Sequence, residues 1–148
     1  MRRIYTLGET VLDIIFRDNL PVAANPGGSM LNASVTLGRL GAPVYFISEF
    51  GNDQVGNMSN KFLCSNGVNT DFCHRYDNGK SAIALAFLDE HQNASYSFYK
   101  LYPEKRLNID IPLITKDDML MFGSYYGISA EIRDTVLKLL NLAKNQDH

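Results

Sequence analysis

The sequence predicts an α/β fold, with a helix-covered parallel sheet and a small accessory sheet beside it. Three observations lead there. Short β-rich runs alternate with amphipathic helical stretches near both ends of the chain, the pattern of parallel strands joined by helical crossovers. A glycine pair, Gly27-Gly28, stands immediately before the first helical stretch. The middle of the chain breaks the alternation with successive strand-like runs around the polar segment Asp89-Glu90-His91-Gln92-Asn93, which suits a hairpin better than a crossover.

Arg3 to Leu7 reads as the first strand, ending at Gly8. Val11-Leu12-Asp13-Ile14-Ile15-Phe16 is a second β-rich run. An unpaired carboxylate is costly to bury, so Asp13 needs a partner or an open cleft. Arg17-Asp18-Asn19 turns the chain toward Leu20-Pro21, and Asn25-Pro26-Gly27-Gly28-Ser29 reads as a loop by its turn-forming residues. Met30, Ala33, Leu37 and Leu40 then recur at helical spacing until Gly41 stops them. Past Pro43, Val44 to Ser48 is a short apolar strand closed by Gly51-Asn52-Asp53. Gln54 to Ser65 forms a second helix, with Val55, Met58, Phe62 and Leu63 inward and Gly67 just past its end.

Phe72 to Tyr76 and Ser81 to Leu88 are strand-like, and Ser95 to Tyr99 is the returning arm of a hairpin. That hairpin is expected to leave the main sheet and pair with the Val11–Phe16 run, placing the accessory strands at about 11–16 and 72–100. Alternation resumes with Asp117-Asp118, the strand Met119 to Gly123, and a helix from Glu131 to Lys144 that aligns Ile132, Val136, Leu139, Leu140 and Ala143.

Composition bounds the function. A chain of 148 residues can bury one domain core. Its 45% hydrophobic and 20% charged content is that of an ordinary soluble globular protein. A net charge of −2 provides neither a basic footprint for nucleic acid nor a polybasic patch for a membrane surface. No apolar run approaches the roughly 20 residues that cross a bilayer. Arg2 and Arg3 are not followed by the apolar segment of a secretory signal, so a cytoplasmic location is expected. Cys64 and Cys73 have no metal-like spacing with each other or with the histidines, and no metal site is expected.

Where chemistry could sit is narrower. Two glycines before a helix let a ligand approach the backbone, where the first free N–H groups point outward. Asn32, in the first helical turn, offers an amide oxygen and two N–H donors to a polyol. The dinucleotide fingerprint is absent, since the first strand ends in Gly8-Glu9-Thr10-Val11-Leu12-Asp13. Neither the G-x-x-x-x-G-K-[ST] phosphate loop nor the G-x-S-x-G nucleophile elbow occurs.

Gly27-Gly28-Ser29-Met30-Leu31-Asn32-Ala33-Ser34, Leu40-Gly41-Ala42-Pro43 and Gly51-Asn52-Asp53-Gln54-Val55-Gly56 follow one another in this order, after an opening Gly8-Glu9 with Asp13 and before Gly67-Val68-Asn69-Thr70. Together they resemble the N-terminal signature of the ribokinase/fructokinase-like (PfkB) carbohydrate kinases. The resemblance implies a Rossmann-like ribokinase-type fold, here partial, with a small β-sheet lid. It implies that Asp13 on the first lid strand hydrogen-bonds sugar hydroxyls, that Gly27 and Gly28 let the sugar lie against the backbone, and that Asn32 binds further hydroxyls. Lid side chains around Ile83 and Ala84 would close over the sugar and exclude water.

The Glu9 form of the opening and the run Ser97-Phe98-Tyr99-Lys100 resemble the fructokinase and 2-keto-3-deoxygluconate kinase branch, which adds Glu9, Phe98 and Lys100 to the substrate-binding candidates. Phe98 has an equally good reading as packing between lid and domain. Lys100 stands where that branch often has Arg. Lys lacks the planar fork that grips a carboxylate, so a neutral ketose is favoured over a sugar acid.

The resemblance also implies ATP and Mg²⁺ as co-substrate and metal of the full-length enzyme. The family's catalytic aspartate lies in a Gly-Ala-Gly-Asp-like motif of the C-terminal half, and no such motif occurs here. Gly123-Ser124-Tyr125-Tyr126-Gly127 resembles instead the strand end beside the sugar site. The chain therefore reads as the sugar-binding half of a kinase, without the ATP-binding half and inactive alone. Homodimers through the lid or through the exposed sheet edge after Met119–Gly123 are expected. Two alternatives stand: a non-catalytic sugar-binding module, and a nucleoside kinase of the same family whose lid aromatics stack on a base.

Overall fold

In the computed structural model, which describes residues 2–146, two sheets divide the strands. The chain runs β1 (Ile4–Leu7), β2 (Val11–Arg17), β3 (Leu20–Gly27), α1 (Ser29–Arg39), β4 (Val44–Gly51) and α2 (Gln54–Ser65). It continues through β5 (Val68–Asn69), β6 (Cys73–Tyr76), β7 (Lys80–Leu88), β8 (Ala94–Leu101), β9 (Met119–Phe122) and α3 (Arg133–Lys144), the last preceded by short 3₁₀ turns.

The main sheet is parallel, in the order β5-β4-β1-β9, with β6 also laid along β4. Strands buried on both faces read as continuous apolar runs, and β1 and most of β4 do so. One face packs against α1 and α2 through Leu31, Phe46 and Leu63. The other packs against α3 and the segment before β9 through Tyr5, Leu107 and Leu139. Arg3 clamps β9 to the start of β1: its guanidinium meets Asp118 at 2.8 Å. Burial opposes ionisation of Asp118, but this contact and the Thr115 and Arg3 N–H donors hold its carboxyl well below the usual range.

The second sheet runs β3-β2-β7-β8 and joins antiparallel outer pairs to a parallel β2–β7 centre. The hairpin does leave the main sheet and pair with the Val11–Phe16 run. Three sequence expectations need correction. Residues 25–27, read as loop, are the end of β3, with Gly27 opposite Val11. Asp18 and Asn19, at φ 51° and 61°, make the tight turn from β2, the geometry preferred in two-residue hairpins. Pro21 and Pro26 are tolerated because β3 is an edge strand. The Phe72–Tyr76 run, expected with the hairpin, instead pairs with β4 from Ser48↔Cys73 to Gly51↔Tyr76. Met58, expected inward, is 39% exposed, while Gly56 and Ser59 take the buried face of α2.

Candidate functional site

Strand order reverses at β1: β4 and β5 lie to one side and β9 to the other. In such sheets ligands bind at the carboxyl ends of the strands around this point. The segment after β1 (Gly8, Glu9, Thr10), the segment after β9 and the N-terminus of α1 converge there. The second sheet rises beside them, carried by β2 and β3.

Register decides which side chains share a face of that sheet. Asp13 stands opposite Asn25 on β3 and Ala84 on β7, and Ala84 stands opposite Phe98 on β8. These four share one face. Ala84 and Ala86 are buried between the flanking strands. Ile83 pairs with Leu12 and Tyr99 and therefore lies on the opposite face. Ala84, named with it from the sequence, is the residue aligned with Asp13.

Gly27 and Gly28 are explained by close approach. A methyl group on Gly27 would run into the Asp13 carboxylate. Gly28 caps α1 at φ 122°, and a side chain there would strike the Glu9 carbonyl. The glycine pair thus brings β2, the segment after β1 and the first turn of α1 together. Asn32 sits in that turn, its N–H bonded to the Gly28 carbonyl at 2.9 Å. Its side chain is exposed and makes no hydrogen bond among the described residues.

No hydrogen bond reaches the Asp13 carboxylate among the described residues, and burial raises its pKa. A half-buried, unpaired acceptor is what a ligand's hydroxyl groups would satisfy. Glu9 is engaged already: the Tyr102 hydroxyl donates to its Oε1 at 2.7 Å, and Lys100 Nζ lies 2.5 Å from the same oxygen. Lys100 also stands 5.2 Å from the centroid of the Phe98 ring. Phe98 is 59% exposed and stacks in parallel on Tyr96 at 5.9 Å. Its contact is therefore within the second sheet, and the reading of it as lid-to-domain packing is set aside.

The support behind Glu9 was missed from the sequence. Arg106 lies 3.6 Å over the Tyr102 ring and donates to Glu49 at 2.6 Å. Glu49, 2% exposed at the end of β4, also accepts from the Leu107 N–H at 2.6 Å. Burial and then the Glu9 charge push the Tyr102 phenol well above its ordinary value, so it remains a donor at neutral pH. The signal was present. A carboxylate follows the apolar run Val44–Ser48, the same kind of anomaly that singled out Asp13.

The Gly51-Asn52-Asp53 stretch joins the two sheets. Asp53 accepts from the N–H of Gly56 at 2.8 Å, capping α2, and from the N–H and hydroxyl of Ser81 on β7 at 2.8 and 2.7 Å. Burial raises its pKa, the Ser81 and Gly56 donors lower it, and the net shift is downward. A 550 Å³ hollow at the far tip of the second sheet, bounded by Arg17, Asp18, Asp89 and Glu90, holds none of the candidate residues. No helix among the described residues is long and apolar enough to cross a membrane.

Comparison with known proteins bears on this arrangement. The model of the pfkB family of carbohydrate kinases matches residues 1–148. Fructokinase-2 of Oryza sativa subsp. japonica is 29% identical over 126 residues, covering 81% of this chain and 37% of that protein. Probable fructokinase-5 of Arabidopsis thaliana is 28% identical over 155 residues, covering 96% and 47%. The Halothermothrix orenii fructokinase structure superposes with a TM-score of 0.82 at 23% identity, over 97% of this chain and 54% of that one. A sugar kinase structure from Pyrococcus horikoshii superposes at 0.78 and 26% identity, over 96% and 52%. The chain thus spans about half the length, or less, of the proteins it matches. Its two-sheet α/β architecture is the ribokinase type, the signature stretches Gly8–Asp13, Gly27–Asn32 and Gly51–Asp53 lie where the sheets meet, and the chain belongs to the pfkB carbohydrate kinase family.

Proposed function

We propose that this chain supplies the sugar-binding part of an ATP-dependent carbohydrate kinase acting on a ketose hydroxyl. The observation that carries the reading is Asp13: an unpartnered, half-buried carboxylate on the inner face of a small sheet, held against Gly27. A carboxylate accepts hydrogen bonds from two neighbouring hydroxyls, and the Asn32 amide both donates and accepts. Gly27 and Gly28 let the sugar ring lie against the backbone at the start of α1. The second sheet then limits water access to the hydroxyl that reacts.

ATP would supply the transferred phosphoryl group. Phosphoryl transfer needs the nucleotide, the metal and a base placed together. The Gly-Ala-Gly-Asp-like motif that holds the base in this family has no counterpart in these residues. No group of three or more His, Cys, Asp or Glu side chains among the described residues is placed to hold a metal ion. The residues present are assigned to the sugar, and the catalytic base to the remainder of a longer enzyme.

One observation favours a nucleoside instead. The exposed Tyr96–Phe98 stack lies on the same face as Asp13 and could hold a base. Saturation-transfer NMR of the chain with D-fructose, D-ribose and adenosine separates the readings. The ketose reading expects transfer to D-fructose that adenosine does not displace. Transfer to adenosine alone would favour the nucleoside, and transfer to none would remove the sugar-binding role.

A further inference from the structure

We propose that Asn78 is a self-modification site: it deamidates by attack of the Gly79 backbone nitrogen, and the isoaspartate formed loosens the joint that holds the second sheet. The chain has two Asn-Gly pairs, Asn66-Gly67 after α2 and Asn78-Gly79 between β6 and β7. In each, glycine has no side chain to shield its nitrogen from the asparagine before it. Local sequence makes the two pairs equivalent, and the structure separates them.

At Asn66 every reacting group is held. Its Oδ1 accepts from Arg39 Nε at 2.6 Å, its Nδ2 donates to the Phe62 carbonyl at 2.7 Å, and the Gly67 N–H donates to the Cys64 carbonyl at 3.1 Å. These bonds must break before the nitrogen can reach the side chain. Asn78 is exposed beside an open hollow of about 420 Å³. Among the described residues, neither its side chain nor the Gly79 N–H makes a hydrogen bond. Packing keeps the glycine in place: a methyl group on Gly79 would strike the Leu101 carbonyl and the Tyr76 ring.

In the reaction the Gly79 nitrogen bonds to Asn78 Cγ, the Cγ–Nδ2 bond breaks, and the amide leaves as ammonia with the proton that the nitrogen gave up. Water then opens the cyclic imide. Opening at Cγ leaves aspartate. Opening at the main-chain carbonyl carbon leaves isoaspartate, with the backbone now running through Cβ and Cγ. Either product sets a carboxylate beside Asp77, and isoaspartate also lengthens a link whose ends are pinned. On one side the Asn52 N–H donates to the Tyr76 carbonyl at 2.8 Å. On the other, the Tyr76 hydroxyl donates to the Lys80 carbonyl at 3.1 Å and the Ser81 N–H donates to Asp53 at 2.8 Å. The added length is taken up at those bonds, which carry the joint between the sheets.

Ageing the full 148-residue chain at mildly alkaline pH, with and without urea, and mapping its tryptic peptides by mass spectrometry tests both parts. Peptides 76–80 and 62–75 each hold one of the pairs. In the folded chain the mass gain of NH₂ exchanged for OH should accumulate at Asn78 about tenfold faster than at Asn66, or more, because the Asn66 hydrogen bonds must open first. In urea the two rates should converge. Hydrogen exchange on the aged chain should show β7 losing protection while β1 and β4 keep theirs. Aged Asn78→Gln, whose extra methylene disfavours ring closure, should keep it throughout. Equal rates at the two pairs in the folded chain, or a faster rate at Asn66, overturn the site. Accumulation at Asn78 that leaves β7 protection unchanged overturns the loosening.

Discussion

Asp13 shows how one side chain couples stability to binding. Its pKa is raised because burial disfavours the charged form. A raised folded value means the ionised carboxylate costs stability at every pH above that value and none well below the unfolded one. Asp13→Asn should therefore raise the melting temperature of the free chain at neutral pH, measured by calorimetry, while weakening D-fructose at least tenfold through lost charged hydrogen bonds. Sugar affinity should be level near neutrality and should fall on acidification, beginning above the ordinary aspartate range near pH 4. Asp13 was legible in the sequence because a lone carboxylate interrupts an apolar run. Glu49 escaped notice because the strand was expected to end at Ser48, which left the carboxylate in a turn. Ile83 was chosen for its apolar character, whereas register, which local composition does not encode, sets its face.

Among the elements, the joint between the sheets decides whether the site exists. The two Asp53 oxygens accept three hydrogen bonds that tie the start of α2 to the start of β7. Asp53→Ala removes a helix cap and leaves the Ser81 N–H unpaired, a loss of about 2 kcal/mol by denaturant titration. Because the folded pKa of Asp53 is lowered, its contribution is fully present above the unfolded value and fades as pH falls through the folded one. The gap between parent and variant should therefore narrow below about pH 4. Hydrogen exchange should show β7 and β8 losing protection in the variant while β1 and β4 keep theirs. Most element boundaries were readable from periodicity: α2 begins and ends at Gln54 and Ser65, as its capping residues indicate. The strand β3 was not, because Pro21, Asn25, Pro26 and Gly27 carry turn chemistry that an edge strand tolerates.

For the molecule as a whole, alternation of strands and helices was enough for the fold class. It could not say that residues 72–76 return to β4, since a four-residue strand fits either sheet until the chain is assembled. One edge of the main sheet, β9, exposes Met119, Met121 and Phe122, and Ile128 and Leu137 extend the apolar surface. Phe122, Ile128 and Leu137 border a hollow of about 290 Å³. An exposed edge with an apolar flank favours association. Sedimentation velocity should show mass above 16.6 kDa appearing as concentration rises, and Phe122→Lys with Ile128→Lys should shift the chain toward monomer. A monomer at all concentrations would argue that the strand ends and α3 cover this face well enough alone.

The assignment of the sugar to the junction of the two sheets is best tested by titrating the isotope-labelled chain with D-fructose and mapping the backbone amide shifts. Shifts that saturate and cluster at Gly8–Asp13, Gly27–Asn32 and the β7–β8 face around Ala84 and Phe98 are the predicted result. Shifts confined to the far tip around Arg17 and Gln92, or none at high sugar concentration, would contradict it.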